Sequence, residues 1–236
     1  MNITFIGAHP DDEMFCLGTL LLYRRRGDRI SLICATNGDK GISDDPGFPH
    51  AECARIRAGE MAAVAKALNA EYVCLEEPDE ALYDTWDNRA KMIEAIRRAK
   101  PEVVFTHNPQ DYNLDHNVTS DLVFQATLLS QIASVSTNSP ALPRVPAIFY
   151  VNPGAGFGFE ATHFVEIDEA TSVEALRIMG LHKSQMEISQ RLLGKDYRDS
   201  IKDRWKATGE RVGVPFAEAF RPCVASRRTP LARLLP

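Results

Sequence analysis

The chain lacks what would place it in a membrane, on a nucleic acid or in a disulfide framework. No apolar run approaches the length that spans a bilayer. Basic residues do not predominate: 27 Lys and Arg stand against 32 Asp and Glu, a formal charge of −5. A phosphate-binding surface needs the opposite balance. The one dense basic run, Arg24-Arg25-Arg26, falls at an expected helix C-terminus, where cations suit the helix dipole. The five cysteines, Cys16, Cys34, Cys53, Cys74 and Cys223, form no CxxC pair and read as buried, reduced thiols. The first strand-like run is not followed by G-x-G-x-x-G, so a dinucleotide pyrophosphate has no close backbone approach there. No signal peptide is visible, because Met1-Asn2 leads straight into that run; the expected compartment is the cytoplasm. The expected partner is a small molecule, with no nucleic acid and no membrane, and a homo-oligomer stays compatible with the sequence.

What is present is a regular alternation of strand and helix. The 236 residues, 44% hydrophobic and 25% charged, suit one domain over 1–236. A regular core is expected over 1–135 and a less regular part over 136–236. Strands are expected at 3–8, 30–35, 72–75 and 102–106. Helices are expected at 13–26 (Met14, Leu17, Leu21 and Leu22 on one face), 51–68, 87–99 and from Asp115 to about 132. This predicts an α/β, Rossmann-like fold with a mostly parallel sheet covered on both faces. Right-handed crossovers then give the strand order 3-2-1-4, which makes the first and fourth strands neighbours at the switch point. Further on, strands are expected at 147–151 and 163–167, joined by a loop carrying Gly154, Gly156 and Gly158, followed by helices at 169–182 and 185–208.

His9-Pro10-Asp11-Asp12 follows the first strand directly, and Asp111-Tyr112-Asn113-Leu114-Asp115-His116 follows the fourth. Open α/β sheets place their chemistry at these carboxyl ends. His9, Asp12 and His116 supply two nitrogens and an oxygen for one divalent metal, with a position left for water, as a catalytic zinc requires. Asp11 is then free beside that metal as a general base for hydrolysis of an amide or ester. The plainer reading is that Asp11 or Asp12 caps the next helix, and that Asp115 caps its own or orients His116. His107 either approaches the crevice or is an ordinary loop histidine. His182 is either a helix-end residue or part of the chemistry. Asp39 and Asp79, beyond strand ends, are candidate partners for substrate hydroxyls. Arg57 joins them, or pairs with Glu60 on a helix surface.

Ala8-His9-Pro10-Asp11-Asp12-Glu13 resembles the AHPDDE signature of the PIG-L/LmbE-like zinc-dependent de-N-acetylases. Thr36-Asn37-Gly38-Asp39-Lys40-Gly41 is similar to that family's T-x-G-D-x-G loop, and Arg57 with Glu60 to its R-x-x-E helix. Asp111 to His116 resembles D-Y-H-P-D-H, His182-Lys183-Ser184-Gln185 resembles H-x-S-Q, and Phe216-Ala217-Glu218-Ala219-Phe220 resembles Y-A-E-x-F. The resemblance implies one Zn2+ per chain, or another divalent metal, on His9, Asp12 and His116, with Asp11 as base. It implies removal of an N-acetyl group from an amino-sugar or its conjugate. One departure stands out: Asn113 occupies the place of a histidine. Asparagine donates a hydrogen bond but is no acid at neutral pH. Either Asp11 makes both proton transfers, or His182 supplies the second, or activity is low. The alternatives are a weakened amino-sugar-binding protein on the same fold and an amidase on a sugar conjugate.

Overall fold

The computed structural model describes residues 1–42, 45–153 and 158–228. Its centre is β1 (Asn2–Gly7), buried along its length after Asn2. A strand covered on both faces reads as an unbroken apolar run, as this one does. β1 pairs in parallel with β2 (Arg29–Thr36) on one side and β4 (Val103–Thr106) on the other. β3 (Ala70–Glu77) extends the sheet beyond β2, and β5 (Ala147–Val151) extends it beyond β4, both in parallel. The far edge turns antiparallel: β7 (Ala217–Pro222) lies between β5 and β6 (His163–Glu166). The order is β3-β2-β1-β4-β5-β7-β6. The expected 3-2-1-4 arrangement is therefore its first part.

Successive residues of a strand face opposite ways, and the core divides accordingly. Phe5, Leu32, Phe105 and Phe149 point to one side. There they meet α1 (Leu17–Arg25), α2 (His50–Leu68), α5 (Glu169–Met179) and α7 (Tyr197–Glu210) through Leu20, Met61, Ile178 and Trp205. Ile6, Ile33, Val104 and Ile148 point to the other side, against α3 (Trp86–Ala99) and α4 (Leu114–Leu129) through Ile96, Leu122 and Ala126. No helix among the described residues is long and apolar enough to cross a membrane.

Three local expectations change and one element is added. The helix expected over 13–26 is a 3-10 turn, Asp12–Phe15, broken from α1 at Cys16, whose φ is −143°. The helix expected over 185–208 is two: α6 (Lys183–Leu193) and α7, parted where Gly194 turns left-handed at φ 68° and Asp196 caps the next helix. The segment with the Y-A-E-x-F resemblance, for which no element was expected, is the strand β7. Asn113, not Asp115, caps α4: its side chain accepts the N–H groups of Asp115 at 2.7 Å and His116 at 3.3 Å. Gly154 and Gly156 lie outside the described residues.

Candidate active site

Because β1 and β4 are neighbours, the turns that leave them face one crevice. In the first, the N–H of His9 donates to Asp12 Oδ2 at 2.6 Å, which folds the turn back on itself. Asp11, between them, sits at φ 150°, a conformation costly for any residue with a side chain. Arg57, only 3% exposed, reaches in from α2. Its Nη2 donates to the carbonyl of Pro10 and lies 3.0 Å from Asp11 Oδ1. One guanidinium thus clamps both the strained backbone and the carboxylate it carries. A Cβ at Gly41 would collide with that guanidinium, so a side chain there would push Arg57 out of its clamp.

Three side chains converge from the two turns. His9 Nδ1 lies 3.2 Å from His116 Nε2, His116 Nε2 lies 3.3 Å from Asp12 Oδ1, and His9 Nδ1 lies 3.7 Å from Asp12 Oδ2. Tetrahedral zinc with bonds of about 2.0–2.1 Å holds its ligand atoms about 3.3 Å apart. Each ligand is oriented from behind. Asp115 Oδ2 stands 3.5 Å from His9 Nε2, Asp111 Oδ1 stands 3.1 Å from His116 Nδ1, and His107 Nε2 stands 3.0 Å from Asp12 Oδ2. A carboxylate behind each imidazole draws the ring proton outward. The two nitrogens facing each other then present lone pairs, an arrangement relieved only by a proton or a cation. Burial opposes a charge on His116, yet Asp12 and Asp111 outweigh it and lift its pKa to about 10. Burial likewise works against the Asp12 carboxylate, but His116 and His107 hold its pKa well below the usual range. The donor set therefore fits a divalent metal.

A cavity of about 210 Å³ opens over this centre. His9, Asp11, Asp12 and His116 form one end, and Lys40, Asp79 and Gln185 are also in its wall. The GlcNAc-PI de-N-acetylase (PIG-L) family model matches residues 4–127, more than half of the chain. The chain belongs to the PIG-L family. A 1D-myo-inositol 2-acetamido-2-deoxy-alpha-D-glucopyranoside deacetylase of Kineococcus radiotolerans is 30% identical over 140 residues, 46% of this chain and 39% of its own. A 4-oxalmesaconate hydratase of Pseudomonas putida is 25% identical over 132 residues, 53% of this chain and 51% of its own. The chain thus spans about two fifths and one half of these curated relatives. The fold of the N,N'-diacetylchitobiose deacetylase from Pyrococcus horikoshii is similar, with a TM-score of 0.81 at 22% identity over 94% of this chain and 83% of that one.

The PIG-L motifs divide by placement. Asn113 reaches the cavity wall with its side-chain oxygen committed to capping α4; its Nδ2 donates to Glu80 Oε1 at 3.2 Å. Arg57 and Asp79 also line the cavity. Asp79 is heavily engaged: its carboxylate accepts the Thr36 hydroxyl at 2.5 Å and the N–H groups of Gly38 at 3.0 Å and Lys40 at 3.3 Å. Asp39 stays outside the wall, taking the N–H of Asp79 at 2.9 Å. His182 is also outside it, fully buried with Nε2 2.7 Å from Glu13 Oε1. Glu60 does not pair with Arg57. It accepts the N–H and hydroxyl of Ser184, each at 2.7 Å, and so ties α6 to α2.

Sequence reasoning left His107 open between the crevice and an ordinary loop histidine, and the structure places it against the site. It is fully buried and stacks on His116 with ring centroids 3.8 Å apart. Its place at the end of β4 was the available signal. Tyr197 and Gln185 line the cavity from the C-terminal helices. Gln185 lies in the H-x-S-Q element, whereas Tyr197 belongs to no motif.

Proposed function

We propose that this protein is a zinc-dependent hydrolase that removes the N-acetyl group of an amino-sugar or amino-sugar conjugate. The observation that carries the reading is the convergence of His9, Asp12 and His116 at ligand spacing beside a carboxylate, Asp11, that binds no part of that triad. A divalent ion on those residues supplies a water of lowered pKa and polarises an acyl oxygen.

The chain's own groups do the rest. Asp11 takes a proton from the attacking water and delivers it to the amine as the C–N bond breaks. Burial raises the pKa of Asp11 and Arg57 opposes the rise, with a net upward shift that brings it closer to working pH. Asn113 can donate but not protonate, and His182 is sealed behind Glu13. Both features favour Asp11 for the two transfers. Lys40 is paired with Asp39 and Arg57 with Asp11, so both cations already have a carboxylate partner. This favours a neutral amide over the anionic, unsaturated acid that a hydratase would take. A complete base and donor set likewise favours an enzyme over a sugar-binding protein.

The test is metal analysis joined to acetate release from a panel of N-acetylated sugars and conjugates. Zinc-dependent release that Asp11→Asn abolishes while metal stays bound supports the reading. Release of acetate unchanged in Asp11→Asn would remove it. Acyl groups other than acetate in the panel identify the amidase variant.

A further inference from the structure

The turn that carries Asp12 also puts two apolar side chains, Met14 and Phe15, into the cavity wall. The Met14 N–H donates to the carbonyl of Asp11 and the Cys16 N–H to that of Glu13, each at 3.0 Å. These bonds close a 3-10 turn that breaks before α1. Leu17 and Leu20, beyond the break, are sealed in the core, whereas Phe15 stays half-buried at the site. Its ring meets His116 edge to face with centroids 6.4 Å apart, and His107 in the same way at 6.3 Å. The Arg204 guanidinium of α7 lies over the ring, 5.2 Å from its centroid. The ring is thus braced by imidazoles and by a cation.

Met14 and Phe15 are shared with a second pocket, whose wall also holds Ile201, Trp205, Ala217 and Ala219. That pocket measures about 10 Å³, scarcely the room of one water. Phe15 therefore parts the reacting end of the cavity from packed interior, not from solvent. An amide placed for attack has its acyl carbon beside His9, Asp12 and His116, and two groups leave that carbonyl. One is the sugar nitrogen, and the polar wall of Lys40, Asp79 and Gln185 suits the hydroxyls that follow it. The other is the acyl chain, which is hydrocarbon and suits the apolar wall beside His116.

We propose that Phe15 determines acyl specificity: its ring closes the acyl end of the cavity and restricts the substrate to the acetyl group. This rests on the hydrolase reading above and narrows its substrate class. An acetyl methyl ends against the ring. A longer chain has to displace the ring, and the space behind it is already filled. A close-packed interior accepts added methylenes only with strain. Larger acyl groups, as the amidase variant would carry, are therefore turned away at Phe15.

The test compares N-acetyl, N-propionyl and N-butyryl forms of whichever sugar the wild type deacetylates. In the wild type, kcat/KM should fall about 10- to 100-fold from acetyl to propionyl, and further to butyryl. Phe15→Ala joins the two pockets, so its butyryl-to-acetyl ratio should rise about tenfold or more over wild type. A ratio taken within one protein cancels any loss of fold or metal that all three substrates share. Phe15→Leu, a smaller change, should raise the propionyl ratio and serves if the alanine variant does not fold. A wild type that cleaves butyryl as well as acetyl overturns the inference, whatever the variants do. So do wild-type ratios in every folded variant. A wild type that releases acetate with a flat acyl profile removes Phe15 alone. A wild type that releases no acid from any N-acyl sugar removes the hydrolase reading and this inference with it.

Discussion

His9 Nδ1 and His116 Nε2 face each other at 3.2 Å across 107 residues of sequence. The pair exists because β1 and β4 are adjacent, and it is held open for a cation because Asp115 and Asp111 sit behind the two rings.

Asp111→Asn tests that support. The amide no longer draws the His116 ring proton as strongly, so metal affinity should weaken by about 10- to 100-fold. Competition with a chelator measures it. Affinity equal to wild type would mean that Asp111 does not orient the ligand.

Arg57→Lys separates charge from geometry at the base. Lysine keeps the positive charge but loses the fork that joins Pro10 and Asp11. We expect kcat to fall about tenfold with metal retained, against a loss of about 10²- to 10⁴-fold for Asp11→Asn. Steady-state kinetics with metal analysis decides. A normal kcat in Arg57→Lys would show that the clamp is dispensable.

Asn113 has two roles that substitution can part. Asn113→Ala removes the cap of α4 and should cost about 1 kcal/mol of stability, whereas Asn113→Asp keeps an accepting oxygen and should melt near wild type. Both lose the Nδ2 bond to Glu80 that fixes this part of the cavity wall, so both should lose some activity. Equal melting of the two variants would contradict the capping role.

Glu218 predicts a pH dependence of stability. It is buried, and that burial, opposed by the donors of Thr19, Gly18 and Trp205, raises its pKa from 4.5 to about 7. The folded state therefore binds this proton more tightly than the unfolded chain. Its contribution is complete below pH about 4.5 and is lost as pH rises to about 7. The stability of wild type relative to Glu218→Gln should fall between pH 5 and pH 8, as paired denaturation curves would show. A difference independent of pH would mean that Glu218 does not titrate in this range.

Much of the fold was legible because its signals are local. Buried parallel strands leave apolar runs, and the helices between them leave caps and breakers. The missed boundaries were places where one residue outweighed periodicity: Cys16 ended a turn, and Gly194 broke what reads as one helix. β7 was missed because Ala217 to Pro222 carries a buried glutamate, whose partners lie on α1 and α7. At the site, His9, Asp12 and His116 were legible from motif and strand order together. The engagement of Asp79 and the burial of His182 against Glu13 were not, because both depend on partners tens to more than a hundred residues away.

The sequence by itself determined that two acidic, histidine-bearing turns follow two buried strands, since chain-local spacing and apolar patterning are properties of one segment at a time. Only the tertiary structure decided which carboxylate backs which imidazole, that Arg57 grips Asp11, and that Tyr197 completes the wall. Those contacts are made between side chains on separate elements, and their directions are set by how helices pack on the sheet.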